Sequence, residues 1–469
     1  MISMGKYKTL ARNTAIISVG TLLSKLVAFF MVRFYTGALT PSEYGTSDLL
    51  NTTVNLLMPL ISFGIADGVF RFLPEYPREK KSIFSIGILT VSAGAVLLAL
   101  ILSFMRLFES FRGYLPLLAF MTMAACYHSV CEQYVRADGD AVLYAKQGVM
   151  NTLIMVSLNI LLLTVFRFGI SGYVLPIALA DTVCTVYLIA KKRLWSCLTM
   201  HPSRDILVKM LRYSIPLIPT GIFWWITSVS DRYMISAMLG EEANGIYTVA
   251  NKLLTMITLL SGVLMQAWQY SAVSEAKNGL REQAVFYGNV WTALVSALFF
   301  ACSVMISLTK AEIRVLTGTA EYYEAWRYVP VLCAAMLFCA FTAFMGSVYT
   351  VTQTSVRSFR TSLLGAVINV VLNAILIPSP LGIHGAALAT LASYFIVFAV
   401  RAENARRMIP FALSAKTLIP STAILAVQIL FICFSWRCWQ LIQLLAAAAL
   451  FLLGRKQIIG LISAARRSK

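Results

Sequence analysis

Tyr35-Thr36-Gly37-Ala38-Leu39-Thr40-Pro41-Ser42-Glu43-Tyr44 ends one apolar run and opens the next. About 200 positions later the pattern returns as Leu239-Gly240-Glu241-Glu242-Ala243-Asn244-Gly245-Ile246-Tyr247. At one offset of 203, Gly37 falls on Gly240, Tyr44 on Tyr247, Leu50 on Leu253, Thr52 on Thr255, Leu56 on Leu259 and Leu57 on Leu260. A second match at an offset of 213–214 pairs Leu158-Asn159 with Leu372-Asn373, and Gly169-Ile170-Ser171-Gly172 with Gly382-Ile383-His384-Gly385. Two matches in the same order, at nearly the same spacing, divide the chain into two homologous halves.

The material being duplicated is membrane-spanning. Of the 469 residues, 59% are hydrophobic and 13% charged, with a mean hydropathy of +0.77. Soluble domains run at about 45–50% apolar and about 25% charged, so this chain has more apolar surface than a soluble core can hide. Because lipid offers no hydrogen-bond partner, each crossing must be a helix or part of a closed barrel. The apolar runs are continuous over about 20 residues, which is helix length, whereas barrel strands alternate over about 10. The expected fold is therefore an all-α polytopic membrane protein. Fourteen candidate spans lie near 11–33, 46–68, 83–105, 115–135, 147–167, 169–190, 213–238, 245–269, 287–308, 328–352, 361–378, 382–400, 417–435 and 439–454. Met1–Leu10 runs into a full-length span with no small-residue cleavage site, so the first helix is expected to be retained. Transporters often use duplicated halves to alternate access to a midplane site.

Most of the 39 Lys and Arg residues fall in the loops that would be cytoplasmic if the N-terminus is cytoplasmic, and this bias places both termini inside. The net charge of +19 is then a topology signal and an attraction to anionic headgroups, not a nucleic-acid signature. The organisation expected is an N-terminal six-helix bundle over 1–190, a cytoplasmic interfacial linker over 191–212, a C-terminal six-helix bundle over 213–400, and two further helices with a basic tail over 401–469.

Cations inside spans are the chemically informative residues. A charge near the bilayer centre costs at least about 2.5–3.5 kcal/mol on insertion scales and needs a partner or a wet cavity. Lys25 lies near the middle of the first span, and Arg232 and Lys252 lie in the seventh and eighth. Arg33 sits at a helix end and can snorkel. Asp48, Asp231 and Asp181 are the acids at similar depth, and Asp48 aligns with Asn251, next to Lys252. Ion pairs that merely staple helices would account for these groups. A cationic site in a central cavity, able to hold a diphosphate through charge-assisted hydrogen bonds, would account for them as well. His128 and Glu132, four apart on the fourth span, together with Asp181 are candidates for ion coupling. Asn369 and Asn373 are one turn apart and suit interhelical hydrogen bonding. Phe223, Trp224 and Trp225 suit either sugar stacking or core packing, and Pro59, Pro176, Pro216, Pro219 and Pro330 are positioned to bend or interrupt spans.

Little supports catalysis. A phosphate loop ending in Gly-Lys-Ser/Thr is absent, the nine cysteines form no Cys-x-x-Cys pair, and the three histidines are far apart in sequence, so no metal site and no cofactor are expected. Membrane polysaccharide polymerases usually carry a large outer loop, and the longest here, Thr309–Trp326, is short.

Ala11-Arg12-Asn13-Thr14-Ala15 leading to Gly20, then Glu43-Tyr44-Gly45, resembles the opening of bacterial polysaccharide-biosynthesis membrane proteins, the Wzx-type oligosaccharide flippases. Asp231-Arg232-Tyr233-Met234 with Gly245-Ile246-Tyr247, and the stretch from Asn369 through Pro378 to Gly385-Ala386-Ala387, are similar to that family as well. The resemblance spans nearly the whole chain, and relatives in the wider multidrug/oligosaccharidyl-lipid/polysaccharide (MOP) exporter superfamily share parts of it. It implies 14 transmembrane helices, two pseudo-symmetric six-helix bundles in a V plus two C-terminal helices. It implies a flippase that moves polyprenyl-diphosphate-linked repeat units of O-antigen, capsule or exopolysaccharide across the bacterial inner membrane by alternating access. Coupling to a proton or sodium gradient would drive it, with polysaccharide polymerase and glycosyltransferases of the pathway as partners. Peptidoglycan-precursor flippases, cation-coupled small-molecule exporters of the same superfamily and membrane polysaccharide polymerases are the alternatives. On this reading Lys25, Arg232 and Lys252 hold the diphosphate or sugar, with Asp48 and Asp231 balancing charge.

Overall fold

A computed structural model describes residues 4–467 apart from 107–111, 200, 263, 266–279, 352–354, 435 and 437. The described residues are helical, with no strand among them. In chain order the helices are α1 (Met4–Ala38), α2 (Pro41–Ile61), α3 (Ile65–Glu75), α4 (Lys80–Met105), α5 (Leu115–Ala137), α6 (Ala141–Ile160), α7 (Gly169–Lys192) and α8 (Arg204–Ser214). They continue as α9 (Ile218–Leu239), α10 (Glu241–Leu253), α11 (Leu280–Leu316), α12 (Val329–Val351), α13 (Ser355–Leu376), α14 (Ile383–Met408), α15 (Ala415–Cys433) and α16 (Trp439–Arg467). The expected spans fall on these helices or on bent pairs of them, except that 245–269 coincides with α10 only as far as Leu253; residues 263, 266–269, 352 and 435 of those spans lie outside the described residues. Among the described residues nine helices are long and apolar enough to cross a membrane, or ten if α2 and α3 form one span bent by 52°. The chain is thus a multi-pass membrane protein, and the criterion of length and composition stops short of fourteen.

The chain divides into two compact units, Met1–Trp225 and Ile226–Lys469, and the division falls inside α9. In the first unit α1 lies along α6, α5 along α7, and α3 along α5. In the second, α14 lies against α12 and α13, while α16 lies along α11. The core of the second unit is aromatic: the buried Trp291 ring meets Phe341, Phe344 and Phe398 at centroid distances of 4.9, 5.4 and 5.9 Å.

The repeat is visible in backbone geometry. Gly169 and Gly382 open α7 and α14 with φ of +53° and +50°, a conformation that a side chain disfavours. Three residues on, Gly172 and Gly385 each face the end of the preceding helical segment. A Cβ on Gly172 would lie 3.1 Å from Leu163 Cδ2 and 3.2 Å from the Leu162 carbonyl oxygen, and one on Gly385 would lie 2.3 Å from the Leu376 carbonyl oxygen. Leu163 and Leu376 are themselves separated by the repeat offset. The other matched glycines differ. Gly240, at φ +95°, forms the break between α9 and α10, whereas Gly37 lies inside α1 and the equivalent break is Leu39-Thr40, closed by a reciprocal Thr40–Glu43 capping box with Pro41 at the first helical position.

Proline effects are local. Pro59 precedes the bend between α2 and α3, where Phe63 and Gly64 take left-handed φ of 50° and 62°. Gly94 of α4 fits directly against the Ile61 carbonyl there, since a Cβ would lie 1.9 Å from it. Pro176 leaves α7 unbroken, and Pro216 sits in a short 3₁₀ turn over Ile215–Leu217.

The connection after α7 does not hang free. Ser85 Oγ accepts from the Thr199 N–H at 2.8 Å and donates to the Cys197 carbonyl at 3.3 Å, and Ser82 Oγ accepts from the Ser203 N–H at 3.2 Å. α8 buries Ile206, Met210 and Ser214, and Gly68 of α3 lies against Met210 and Ser214. Lys80 of α4 and Lys192 of α7 converge on Asp138 at 2.5 and 3.0 Å, and Lys192 also reaches Asp140 at 3.0 Å. Burial alone would raise the Asp138 carboxyl. The hydrogen bonds and charges of the two lysines outweigh it and hold the group below the usual carboxylate range.

Two findings depart from the sequence boundaries. α14 runs on to Met408, so Arg401 is part of a helix and is 9% exposed; its guanidinium donates to Thr361 Oγ1 at 2.9 Å, Ser362 Oγ at 3.0 Å and the Thr342 carbonyl at 3.2 Å. α16 is one continuous helix through Arg467, not a span followed by a separate tail. α15 and α16 are fastened to α11 by buried glutamines: Gln428 Nε2 donates to the Ser303 carbonyl at 2.9 Å and Ser307 Oγ at 3.0 Å, and Gln443 Nε2 donates to the Gln428 carbonyl at 3.0 Å.

The glycine contacts give a graded prediction. Gly385→Ala drives a methyl into backbone and is expected to cost about 1–3 kcal/mol, while Gly172→Ala, whose contacts are longer, costs less. Thermal unfolding of the detergent-solubilised protein checks the order, and equal transitions for Gly385→Ala and the parent chain would contradict it.

Candidate functional site

The first unit gathers a polar cluster around α5, α6 and α7. His128 and Glu132 lie one turn apart on α5 and project together. Gln147 of α6 stands between them: its Oε1 is 2.9 Å from His128 Nε2, and its Nε2 donates to Glu132 Oε1 at 3.0 Å. The other ring nitrogen, His128 Nδ1, is 3.2 Å from Asp181 Oδ1 on α7, which also accepts from Asn151 Nδ2 at 2.8 Å. The structure therefore brings His128, Glu132 and Asp181 into one hydrogen-bonded chain with Gln147 and Asn151. An imidazole beside a carboxylate is chemistry that can take up and release a proton, and the Gln147 carboxamide orients the imidazole and Glu132 through one hydrogen bond to each. Gln147 and Asn151 are a helical turn apart, and that spacing was the available sequence signal for them.

The second unit carries a different cluster on α9, α10, α13 and α14. Asp231 is buried, and its Oδ2 accepts from Tyr247 OH at 2.5 Å and Thr390 Oγ1 at 3.4 Å, while its Oδ1 accepts from the Arg232 N–H at 2.9 Å. Asn369 links to it through α14, donating to Thr390 Oγ1 and Ser393 Oγ at 3.4 Å each, and its Oδ1 accepts from Ser230 Oγ and Asn373 Nδ2 at 3.0 Å each. Asn373 Oδ1 is buried with no hydrogen-bond donor among the described residues. Carboxylate, carboxamide and hydroxyl oxygens in one place are the ligand type that hard cations take. Among the described residues no group of three or more His, Cys, Asp or Glu side chains is arranged for a metal ion. Asn369 hydrogen-bonds between helices, whereas Asn373 donates to Asn369 on its own helix, and Tyr247, Thr390 and Ser393 were missed by sequence reasoning because their polarity is ordinary in a packed helix.

The remaining residues singled out by sequence lie as follows. Lys25 is exposed on α1 and forms no ion pair with described residues of its own unit. Asp48 is 3% exposed on α2, on the same helix as the buried Tyr44. Tyr44 packs edge-on against Tyr173 at 5.8 Å, and Tyr173 packs on Tyr35, whose hydroxyl accepts from Asn159 Nδ2 at 3.2 Å. In the second unit Arg232 and Lys252 are half-buried on α9 and α10. Arg33 is exposed near the end of α1. Trp225 Nε1 donates to the Thr52 carbonyl at 2.9 Å, tying the start of α9 to α2, whereas Trp224 is 68% exposed.

Comparison with known proteins places these elements. A polysaccharide biosynthesis protein family model matches residues 10–277, which is more than half of the chain. The chain belongs to that family. Among solved structures it is similar to the lipid II flippase MurJ in an inward closed conformation, at 11% identity, with 94% of this chain and 98% of that one covered and a TM-score of 0.69. It is also similar to a multidrug resistance MATE family transporter of the MOP superfamily in its inward-facing conformation, at 15% identity, 82% and 94% coverage and a TM-score of 0.61. A MOP superfamily transporter from Pyrococcus furiosus is similar at 14% identity, 85% and 95% coverage and a TM-score of 0.53. No curated protein sequence matches the chain. The fold is therefore that of MOP superfamily transporters, in agreement with the resemblance carried by the sequence.

The Asp231 cluster yields a direct test. Tyr247→Phe removes the 2.5 Å donor to a buried carboxylate and is expected to cost about 1.5–3 kcal/mol, read as a lowered thermal transition of the solubilised protein. A transition unchanged from the parent chain would show that this bond does not hold the carboxylate.

Proposed function

We propose that the protein is a flippase, not an enzyme, and that it moves polyprenyl-diphosphate-linked oligosaccharide repeat units, precursors of O-antigen, capsule or exopolysaccharide, from the inner to the outer leaflet of a bacterial plasma membrane. The observation that carries this reading is membership of a polysaccharide biosynthesis family by a chain with a transporter fold and no soluble domain among its described residues. A sugar headgroup cannot cross hydrocarbon unaided because its hydroxyls would lose their hydrogen bonds to water. Lys25 of the first unit, and Arg232 and Lys252 of the second, serve the diphosphate or sugar through charge-assisted hydrogen bonds, with Asp48 and Asp231 balancing charge.

The same reading extends to energy and partners. The His128–Gln147–Glu132 and Asp181 chain takes the coupling proton, and the oxygen cluster at Asp231 suits sodium as the alternative coupling ion. Both termini lie in the cytoplasm, following the bias of Lys and Arg. Polysaccharide polymerase and glycosyltransferases of the same pathway act on either side of the step. A peptidoglycan-precursor substrate is the second reading, favoured by the similarity in fold to the lipid II flippase.

Single replacement of Lys25, Arg232 or Lys252 by Gln tests the assignment. Each is expected to lower surface polysaccharide roughly tenfold or more, the equivalent of losing one charge-assisted hydrogen bond of about 1.5–3 kcal/mol. Undiminished polysaccharide from membrane-inserted variants would refute the residue roles, and lysis on depletion with surface polysaccharide intact would favour the peptidoglycan precursor.

A further inference from the structure

The first unit contains a concavity that none of the transport residues line. Its volume is about 430 Å³, within the roughly 300–1,000 Å³ range of ligand pockets. α4 contributes Phe84 and Ile88, α5 Phe120, Met123, Ala124 and Tyr127, and α7 Thr182, Thr185, Val186 and Ile189. The turn after α7 closes one end with Leu194, Trp195 and Leu198. Few polar groups are free to face inward. The Thr182 and Thr185 hydroxyls donate to carbonyls of their own helix at 2.8 and 2.7 Å, and Tyr127 OH pairs with Ser92 Oγ at 2.8 Å. The wall formed by the turn is fixed in place, because Ser85 grips it at Cys197 and Thr199.

Charge is distributed unevenly at that closed end. Lys80 and Lys192 are neutralised by Asp138 and Asp140. Lys191 and Arg193 are exposed and carry no ion pair among the described residues; Arg193 immediately precedes the lining residue Leu194, and Lys191 follows the lining residue Ile189 by two positions. Arg193 takes a left-handed φ of 49°, which turns the chain from α7 into the wall. A carbon-lined groove that ends at two uncommitted cations complements one kind of molecule: an amphiphile with a long apolar chain and an anionic head.

We propose that this groove holds one acyl chain of an anionic glycerophospholipid, with the phosphate-bearing headgroup on Lys191 and Arg193. The lipid anchors the turn that follows α7 in the first unit to the headgroup layer, independently of whichever substrate the protein carries. Commitment to a membrane phospholipid follows from the position of the cations in the last turn and at the C-cap of α7, the end of an apolar span, where bulk headgroups lie.

Native mass spectrometry of the full-length protein, titrated with phosphatidylglycerol or phosphatidylcholine of identical acyl chains, tests the proposal. One phosphatidylglycerol adduct is expected to form roughly tenfold more readily than the phosphatidylcholine adduct, given a contribution of about 1 kcal/mol per basic residue near an anionic surface. The Lys191→Gln/Arg193→Gln variant, which alters exposed residues alone, should lose that preference. Ala124→Phe fills the groove and should remove the first adduct of both lipids. Equal binding of the two lipids by the parent chain, or a preference unchanged in the double variant, would overturn the proposal, as would a first adduct that survives Ala124→Phe. Displacement of phosphatidylglycerol by an equal amount of polyprenyl phosphate would overturn it too, by assigning the groove to the substrate tail.

Discussion

Hydrocarbon offers no hydrogen-bond partner, and that constraint organises the molecule from backbone to site. It accounts for helices being the regular structure of the described residues, and it decides what polar side chains can do inside the helices. Gln428, Gln443, Asn369, Asn373 and Arg401 are each buried, and each is hydrogen-bonded to a neighbouring helix or to its own turn. In water such contacts would add little. In lipid they specify which helix meets which, because no alternative partner exists.

Gene duplication explains the architecture and not the chemistry. The glycine pair Gly169/Gly172 returns as Gly382/Gly385 with the same left-handed φ at the first glycine and a close approach of the second to the preceding helical segment, tighter in the second unit, so the packing rule has been inherited. The polar clusters have not. Asp181 in the first unit aligns with Tyr394 in the second, and the first unit has a histidine and two carboxylates where the second has a carboxylate, a tyrosine, hydroxyls and carboxamides. Two scaffolds of one design, loaded with different titratable groups, are what a transporter needs if its halves are to respond to different ligands.

Hydrophobic runs made the helices legible, since their length and composition report directly on the solvent around them. Glycines at the α7 and α14 starts were legible as a repeat, but their function as close contacts required coordinates. Gly37 and Gly240 show the limit: identical residues at one offset, one inside a helix and the other at a break. In the site, His128 and Glu132 were readable from their one-turn spacing on one helix, whereas Gln147, which joins them, comes from another helix, and its one-turn spacing from Asn151 does not tell which residues it meets. Asp231 stood out as a charge in an apolar run, but Tyr247 and Thr390 did not, because tyrosine and threonine are common in packed helices. The expected span ended at residue 400, the last apolar position before Arg401, whereas the helix continues to Met408 with the Arg401 guanidinium held by three neutral acceptors.

Transport of a lipid-linked sugar is the central claim, and reconstitution measures it without the rest of the pathway. The purified protein in liposomes, loaded on one leaflet with a polyprenyl-diphosphate oligosaccharide, is predicted to expose that sugar on the other leaflet to a membrane-impermeant glycosidase, faster than protein-free vesicles do and faster still under an imposed cation gradient. Sugar exposure at the rate of protein-free vesicles, with the protein folded in the bilayer, would contradict the account.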